Sequence, residues 1–350
     1  MLLLWLAIIL ACFYLLAVVT DEFFVISLDE ITKKLKLSPD MAGATFMAIG
    51  SSAPELFTSF IAVFRTDGMA DVGAGTIVGS AIFNILVIIG ASASFRKAHL
   101  NWQPVVRDML FYAVSILLLL LSFADGQIIW REALLFVGVY IGYLVAVFNW
   151  RTWLPYKEKN VDVFELLEAE ESKHPIAIWA KKLLGIVIPE CKEKPERFMF
   201  TFGASVLVIA ALSFVMVESA IEMAHLLHIP PAIVALTILA AGTSIPDLLA
   251  SIAVAKQGRG DMAVSNAVGS NVFDILIGLG LPWLIILTFQ GGAVQVATEN
   301  LLSSIFLLFA TIIGIFFLLF VRRWSIGKRA GWLLILVYLM YVGWNIFQVI

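Results

Sequence analysis

One short motif, which combines hydroxyl groups, a proline and a carboxylate, occurs twice in this chain of 350 residues. Residues 48–55 read AIGSSAPE and residues 240–247 read AAGTSIPD. Both lie inside apolar runs, where ionisable side chains are costly and usually functional. The paired acids are Glu55 and Asp247, and with their neighbouring hydroxyls they supply hard oxygen donors. Ca²⁺ binds about six to eight oxygens of this kind, so the pattern indicates cation binding.

The spacing within each motif predicts how these oxygens are grouped. Ser51 and Ser52 precede Glu55 by four and three residues, so the three side chains can share one face of a helix. The prolines should interrupt the helices, because Pro54 has no N–H for the carbonyl of Gly50. Freed carbonyls add further oxygen donors, and irregular backbone at membrane depth is tolerated where it lines a cavity. The corresponding residues of the second copy are Thr243, Ser244, Asp247, Pro246 and Gly242.

A second pair of motifs extends the candidate site. Residues 79–86 read GSAIFNIL and residues 269–276 read GSNVFDIL. Each copy sets a serine four residues before an amide or a carboxylate; these residues are Ser80, Asn84, Ser270 and Asp274. We therefore predict a pocket with three carboxylates, Glu55, Asp247 and Asp274.

Glycines crowd the two segments that carry this second motif. Small residues let membrane helices approach closely, so we expect these segments to pack against the two proline-broken helices. The glycines are Gly73, Gly75, Gly79, Gly90, Gly269, Gly278 and Gly280.

Composition indicates that the elements carrying these residues span a membrane. The chain is 61% hydrophobic with a mean hydropathy of +0.98, whereas soluble domains are about 45–50% apolar. The first twenty residues lack a basic flank and a cleavage site, so we interpret them as a retained spanning helix rather than a signal peptide. Apolar runs of about 20 residues predict ten spans: 2–20, 43–64, 73–94, 106–123, 129–149, 199–217, 232–255, 263–287, 299–321 and 331–349.

The order of the spans predicts an internal symmetry. The first proline motif lies in the second span and its twin in the seventh, so the two copies enter the membrane from opposite sides. Inverted repeats of this kind build many secondary transporters, with the substrate site near the midplane. We expect an all-α polytopic membrane protein with ten transmembrane helices in two inverted five-helix halves, residues 1–149 and 199–350, joined by a loop at 150–198.

Basic residues predict the orientation. With the 150–198 loop in the cytoplasm, both termini face outward, and only Arg65 and Arg131 fall outside. The predicted cytoplasmic residues are Lys33, Lys34, Lys36, Arg96, Lys97, Arg107, Lys256, Arg259, Arg322, Arg323, Lys328 and Arg329.

Four lesser features have simpler interpretations. The acidic run Glu165 to Glu171 has no Asp-x-Asp-x-Asp-Gly loop, so we interpret it as part of a solvated helix rather than a regulatory calcium site. His225 and His228, beside Glu218 and Glu222, favour a wet helix end over a metal site. Gly258 to Asp261 read GRGD, as in intramembrane aspartyl proteases, but Asp261 is predicted in a short charged turn. Cys12 and Cys191 offer no disulfide framework or metal spacing.

The motifs resemble the two alpha repeats of the cation/calcium antiporter superfamily. The resemblance covers AGATFMAIGSSAPELFTS, GTIVGSAIFNIL, AAGTSIPDLLAS and AVGSNVFDILIG, within residues 42–95 and 235–287. It is closest to the potassium-dependent sodium/calcium exchangers, in a compact, prokaryotic-type form with a short central loop.

That resemblance implies roles for individual residues. Glu55 and Asp247 would be the central carboxylates shared by calcium and sodium, and Asp274 matches the position associated with potassium. Hydroxyls would come from Ser51, Ser52, Thr243 and Ser244, and carbonyls from Ala48 and Ala240. Ser80, Asn84 and Ser270 would line flanking sodium sites.

The function expected from these features is exchange of Ca²⁺ for Na⁺, with K⁺ as a third ion left open. A proton-coupled calcium exchanger is the main alternative, since carboxylates serve both couplings, and a cation channel is a remote one. The partners expected are inorganic cations and the lipid bilayer of the plasma (cell inner) membrane, with no nucleic acid and no cofactor. The ions Ca²⁺, Na⁺ and K⁺ are cargo.

Overall fold

The computed structural model describes residues 1–24, 26–27, 30–31, 34, 48–65, 70–95, 98–155, 175–189, 195–256, 260–297 and 301–347. In this part of the chain, nine helices are long and apolar enough to cross a membrane, and a further apolar helix, Ala53–Phe64, is shorter. The prediction of a helical, multi-pass membrane protein is confirmed at this level. The number of ten spans and their inverted arrangement stay predictions.

In its described residues, the first half of the chain contains seven helices with defined bounds, two of them extended by π-helical segments. Two-residue strands, β1 (Ala98–His99) and β2 (Gln127–Ile128), lie in its connections. The helices are α1 (Leu2–Val19), α2 (Ala48–Ser51), α3 (Ala53–Phe64), α4 (Ala70–Phe83), α5 (Ile89–Phe95), α6 (Trp102–Ser122) and α7 (Trp130–Trp153), with π1 (Thr20–Phe24) after α1 and π2 (Asn84–Ile88) between α4 and α5.

The remainder repeats much of this element order. A short helix in the central loop, α8 (Pro175–Leu184), and a 3₁₀ turn at Pro195–Arg197 precede it. The other elements are α9 (Phe198–Leu227), α10 (Pro231–Val234), π3 (Ala235–Leu239), α11 (Ala240–Thr243), α12 (Ile245–Lys256), α13 (Gly260–Phe273), π4 (Asp274–Leu279), α14 (Gly280–Gln290), β3 (Val294–Gln295), α15 (Leu302–Val321), β4 (Ser325–Ile326) and α16 (Lys328–Phe347).

Both proline motifs interrupt their helices, as predicted. Ser52 separates α2 from α3 with φ −90° and ψ 7°, and Ser244 separates α11 from α12 with φ −84° and ψ 5°. The helical path resumes at once, since Leu56 N–H bonds to the Ser52 carbonyl at 3.1 Å and Leu248 N–H to the Ser244 carbonyl at 3.0 Å. Each break therefore starts a fresh half-helix that carries its acid in the first turn.

The second motif coincides with a change of helical geometry in both copies. α4 gives way to π2 at Asn84, and α13 gives way to π4 at Asp274. π segments inside α-helices are frequent at functional sites, because the extra residue re-aims neighbouring side chains. The amide and the carboxylate singled out by sequence thus occupy equivalent structural positions.

Glycine contacts confirm that α4 packs against both broken helices. A Cβ on Gly73 would lie 3.0 Å from the Cα of Ser59 in α3, and one on Gly79 would lie 2.6 Å from the Cβ of Ala240 in α11. Such approaches leave no room for a larger residue. Gly269 differs from the prediction, because the atom nearest to its added Cβ is the hydroxyl of Tyr143 in α7, at 3.7 Å.

Buried apolar side chains form two main clusters. The larger one draws on α4 to α7 and α13 to α16, with Tyr112, Phe136 and Trp283 at its centre. The smaller one joins α1 to α9 and includes Leu16, Met216 and residues of π3. Antiparallel strand pairs β1–β4 and β2–β3 tie connections of the two halves together.

Several boundaries differ from the sequence predictions. The first helix continues through π1 to Phe24, and α9 runs to Leu227, ten residues beyond its predicted end. α13 begins at Gly260, so Asp261 belongs to the first turn of a helix and not to the preceding turn. The run Glu165 to Glu171, Cys191 and residues 42–47 lie outside the described residues.

The described part of the central loop packs against the membrane helices. Ala180, Leu184 and Ile188 are buried in the smaller cluster beside α1. Lys181 Nζ lies 2.6 Å from Glu22 Oε2. This part of the loop is therefore docked against the first helix.

Candidate cation site

The two acids of the proline motifs occupy equivalent, fully buried positions. Glu55 is the third residue of α3 and Asp247 the third residue of α12, and both have no exposed surface. The helical interruption before each acid places it at a helix N-terminus, where unsatisfied N–H groups and the helix dipole favour negative charge.

Hydroxyls of one copy face the acid of the other. Ser244 Oγ donates to Glu55 Oε1 at 3.1 Å across 189 residues of sequence, and the Thr243 hydroxyl also interacts with Glu55. In return the Ser51 hydroxyl interacts with Asp247. The sequence grouped each acid with hydroxyls of its own helix, whereas the fold pairs them crosswise.

Asp247 is also held by α13. Ser270 Oγ donates to Asp247 Oδ1 at 3.2 Å, and Asn266 Nδ2 lies 3.4 Å from the same oxygen. Asn266 Nδ2 also lies 3.3 Å from Ser251 Oγ. Sequence reasoning missed Asn266, although it precedes Ser270 by four residues and so falls on the same helical face.

Asp274 lies close to the other two acids but makes fewer contacts. It is fully buried and interacts electrostatically with Glu55 and Asp247. The Ser52 hydroxyl lies beside it without meeting hydrogen-bond geometry, and neither carboxylate oxygen accepts a hydrogen bond from the described residues. The Tyr112 hydroxyl, which the sequence did not single out, lies near Asp274 as well.

Asn84 joins the two copies at their second motifs. Its Nδ2 donates to Asn271 Oδ1 at 2.9 Å, and Asn271 Nδ2 donates to the Ala81 carbonyl at 3.0 Å. Asn84 also interacts with Asp247. α4 and α13 are therefore linked by amide contacts at the level of the acids, which is a second connection that the sequence did not predict.

Two predicted site residues make other contacts, and a third, Ala48, is described only by its position in the backbone. Ser80 is buried, but its hydroxyl donates to the Ile77 carbonyl of its own helix at 3.0 Å. The Ala240 carbonyl, expected as a free ligand, lies 3.4 Å from the Thr243 hydroxyl. Ala48 is placed at the start of α2.

The chemistry of the convergent atoms fits a hard cation. Within the described residues, several buried oxygens near the acids have no hydrogen-bond partner: Glu55 Oε2, Asp247 Oδ2, both oxygens of Asp274, Ser52 Oγ and Asn84 Oδ1. Buried polar groups are normally hydrogen-bonded, so a group of unpaired acceptors is unusual. The predicted pocket of three carboxylates is not seen in that form, because no three His, Cys, Asp or Glu side chains among the described residues form a group that could hold a metal. A bound ion would therefore need hydroxyl, amide or carbonyl oxygens beside the carboxylates.

One further acid interacts with this site. Asp21, in π1, is exposed although its neighbours Thr20 and Phe23 are buried. It interacts electrostatically with Asp247. The sequence did not identify it as a neighbour of the acids.

The alternative sites gain no support. His225, His228 and Glu222 are exposed on and just beyond the end of α9 and belong to no three-residue metal cluster among the described residues. For the protease motif, Gly258, Arg259 and the side chain of Asp261 lie outside what the structure describes.

Comparison with known proteins places this arrangement in a family. Residues 5–149 and 197–347 match the family described as "Sodium/calcium exchanger protein". Human sodium/potassium/calcium exchanger 4 is 30% identical over 495 aligned residues, covering 95% of this chain and 79% of that protein. Human sodium/potassium/calcium exchanger 3 is 31% identical over 508 residues with the same two coverages.

A solved structure shares the fold. The sodium-calcium exchanger NCX_Mj, soaked with 2.5 mM Na⁺ and 10 mM Sr²⁺, aligns with a TM-score of 0.61 and 22% sequence identity. The alignment covers 98% of this chain and 99% of NCX_Mj. With the matched segments spanning both halves and both motif pairs, the chain belongs to the sodium/calcium exchanger protein family.

Proposed function

We propose that this protein is a secondary antiporter that exchanges Ca²⁺ for Na⁺ by alternating access at the site formed by Glu55 and Asp247. The observation that carries the proposal is the crosswise pairing of the two motifs. Ser244 of the second copy donates to Glu55 of the first, and Ser51 of the first interacts with Asp247 of the second. The relatives named sodium/potassium/calcium exchangers support the identity of the ions.

The proposed architecture has ten transmembrane helices in two inverted halves. The matched element order supports it: each half contains an interrupted helix followed by a helix that turns into a π segment at the second motif. An antiporter built this way exposes one midplane site alternately to each side. The positive-inside pattern supports an orientation with the central loop in the cytoplasm and both termini outside.

The ligand roles follow from the oxygens that converge on the buried acids. Glu55 and Asp247 would bind calcium or sodium, with Ser51, Ser52, Thr243 and Ser244 contributing hydroxyls. Ser270 and Asn84 would complete flanking positions. A calcium ion loses most of its hydration on entering such a site, and two carboxylates offset that loss by charge.

Counterflow in sealed vesicles tests this function. The purified protein is reconstituted, the vesicles are loaded with Na⁺, and uptake of labelled Ca²⁺ is followed after dilution into Na⁺-free medium. We expect uptake above the equilibrium level, driven by outward Na⁺, and no such uptake from choline-loaded vesicles.

The same experiment separates the alternative functions. A channel would only equilibrate calcium, whatever the sodium gradient. A proton-coupled exchanger would accumulate calcium in response to an imposed pH gradient and would be indifferent to internal sodium. Either result would overturn the proposal.

A further inference from the structure

A second buried polar cluster lies behind α13, away from the acids of the cation site. Its centre is Asp108 in α6, which is 1% exposed, next to Arg107, which has no exposed surface. Charged side chains inside membrane helices are rare and usually functional. Neither residue belongs to the motifs that identified the cation site, so cation binding there does not account for their burial.

Both oxygens of Asp108 are occupied by donors from three helices. Oδ1 accepts from Arg107 Nε at 2.7 Å and from the Tyr143 hydroxyl of α7 at 3.1 Å. Oδ2 accepts from Ser265 Oγ of α13 at 3.0 Å. In this respect Asp108 differs from Asp247, one oxygen of which has no partner among the described residues. Asp108 is therefore built as a fixed anchor and not as a cation ligand.

Asp108 contacts one face of α13, and the cation site lies against the adjacent face. Ser265 bonds to Asp108, and the adjacent residue Asn266 lies 3.4 Å from Asp247. The Tyr143 hydroxyl lies over Gly269, one turn beyond Ser265, and Ser270, next to Gly269, donates to Asp247. Ser265 and Gly269 thus face Asp108 and its partner Tyr143, whereas the adjacent residues Asn266 and Ser270 face Asp247.

A second residue on the same face of α6 as Asp108 also contacts α13. Tyr112 follows Asp108 by four residues, and its hydroxyl lies near Asn271 and Asp274. One stripe of α6 therefore touches α13 at the height of Ser265 and again at the height of Asp274. A rotation or a shift of α13 would break the first contact and move the site residues together.

We propose that Asp108, held by Arg107 and Tyr143, is a positioning residue that fixes the rotation and height of α13 and so sets the affinity of the cation site. This inference rests on the proposed function only for the identity of the ion. Outer contacts that orient ligand-bearing groups commonly change metal affinity about tenfold or more when lost. Because Asp108 acts through a helix, we expect an effect of about threefold to tenfold.

The chain offers a matched pair of variants on α7. Tyr143→Phe removes only the hydroxyl that bonds to Asp108. Tyr140→Phe removes a hydroxyl one turn away. The Tyr140 ring is also buried and lies against aromatic neighbours, but its hydroxyl has no hydrogen-bond partner among the described residues. Ser265→Ala and Ser115→Ala form a second pair, since Ser115 on α6 donates only to the Phe111 carbonyl of its own helix at 2.8 Å.

The test measures calcium-dependent exchange in proteoliposomes for all four variants. For Tyr143→Phe and Ser265→Ala we expect the half-saturating Ca²⁺ concentration to rise about threefold to tenfold, with the maximal rate within about twofold of wild type. Tyr140→Phe and Ser115→Ala should keep the wild-type value. A merely structural hydroxyl would lower the yield or the thermal midpoint and leave half-saturation unchanged, and that result would overturn the proposal.

Hydrogen–deuterium exchange gives a readout that does not depend on the transported ion. Amides of residues 260–273 should exchange faster in Tyr143→Phe than in Tyr140→Phe, because α13 has lost an anchor. Equal exchange in the two variants would refute the proposed role of Asp108 in fixing α13, whatever the transport data show. An absence of sodium-driven calcium uptake by the wild-type protein would instead refute the proposed function. The comparison of amide exchange would still test whether Asp108 fixes α13.

Discussion

At the scale of residues, the acid of each proline motif contacts a hydroxyl of the other motif. Each acid sits in the first turn of a half-helix, yet it contacts a hydroxyl from the other proline motif, as in the bond from Ser244 to Glu55. This arrangement makes the site a property of both halves together. Neither half could bind a divalent ion alone with the same set of oxygens.

The first prediction concerns the two central acids. Glu55→Gln and Asp247→Asn should each abolish calcium exchange, because an amide keeps the shape but removes the charge that offsets a divalent ion's lost hydration. Sodium-driven uptake of labelled calcium measures the effect, and gel filtration in detergent checks that the variants fold. Glu222→Gln, an exposed acid on α9, serves as the control. Near-normal flux in either acid variant would refute the ligand roles.

The second prediction concerns Asp274, whose counterpart in the first half is the uncharged Asn84. With all three acids ionised, one bound calcium leaves about one negative charge at membrane depth, which costs roughly 2.5–3.5 kcal/mol. We propose that a potassium ion neutralises it. Asp274→Asn should then transport calcium without responding to potassium.

Replacing potassium by choline tests the same idea in the wild type. We expect calcium flux to fall, because the third charge is no longer compensated by a metal ion. Unchanged flux would refute potassium coupling and would favour a proton on Asp274 when calcium is bound.

At the scale of elements, close helix crossings hold the site together. α4 approaches π3 and α11 so closely that a Cβ on Gly79 would overlap the Leu236 carbonyl oxygen and lie 2.6 Å from the Ala240 Cβ. These are backbone and short side-chain atoms, which cannot move aside cheaply. The contact joins the first half to the second immediately beside Thr243 and Ser244.

The third prediction uses this crossing. Gly79→Ala should destabilise the protein by about 1–3 kcal/mol, because overpacking forces the helices apart, and it should weaken calcium binding. Gly138→Ala in α7, where an added Cβ meets nothing within 4 Å, is the matched control. There we expect no loss and a gain of up to about 1 kcal/mol from helix propensity. Thermal unfolding in detergent measures both, and equal midpoints would contradict the predicted crossing.

At the scale of the whole molecule, we propose that one set of oxygens serves two ions. Glu55 and Asp247 are both buried and interact electrostatically, and the described part of the chain has no group of three or more His, Cys, Asp or Glu side chains that could hold a metal. An exchanger of this design gains its coupling from competition at a shared site.

The fourth prediction is therefore reciprocal competition. Sodium should raise the apparent dissociation constant for calcium, and calcium should raise that for sodium by the same factor, as linkage requires. Titration calorimetry of the detergent-solubilised protein, with one ion varied at several fixed concentrations of the other, measures both factors. Calcium binding that is unaffected by saturating sodium would refute the shared site.

The sequence by itself determined the class of protein and singled out three acids as candidate ligands. A hydrophobic content of 61% requires a membrane, and the repeated motifs identified Glu55, Asp247 and Asp274 before any contact was known. The breaks at Ser52 and Ser244 also followed from local chemistry, because proline lacks the N–H that the preceding turn needs. Features of this kind depend on residues within a few positions of one another.

The tertiary structure alone decided which groups meet. Ser244 and Glu55 are 189 residues apart in sequence, and Asn84 and Asn271 are 187 apart. Helical periodicity states which side chains share a face, but it does not state which helix that face meets. The roles of Asn266 and of Asp108 with Tyr143 depend on how α6, α7, α12 and α13 pack, and packing is set by the whole set of helices at once.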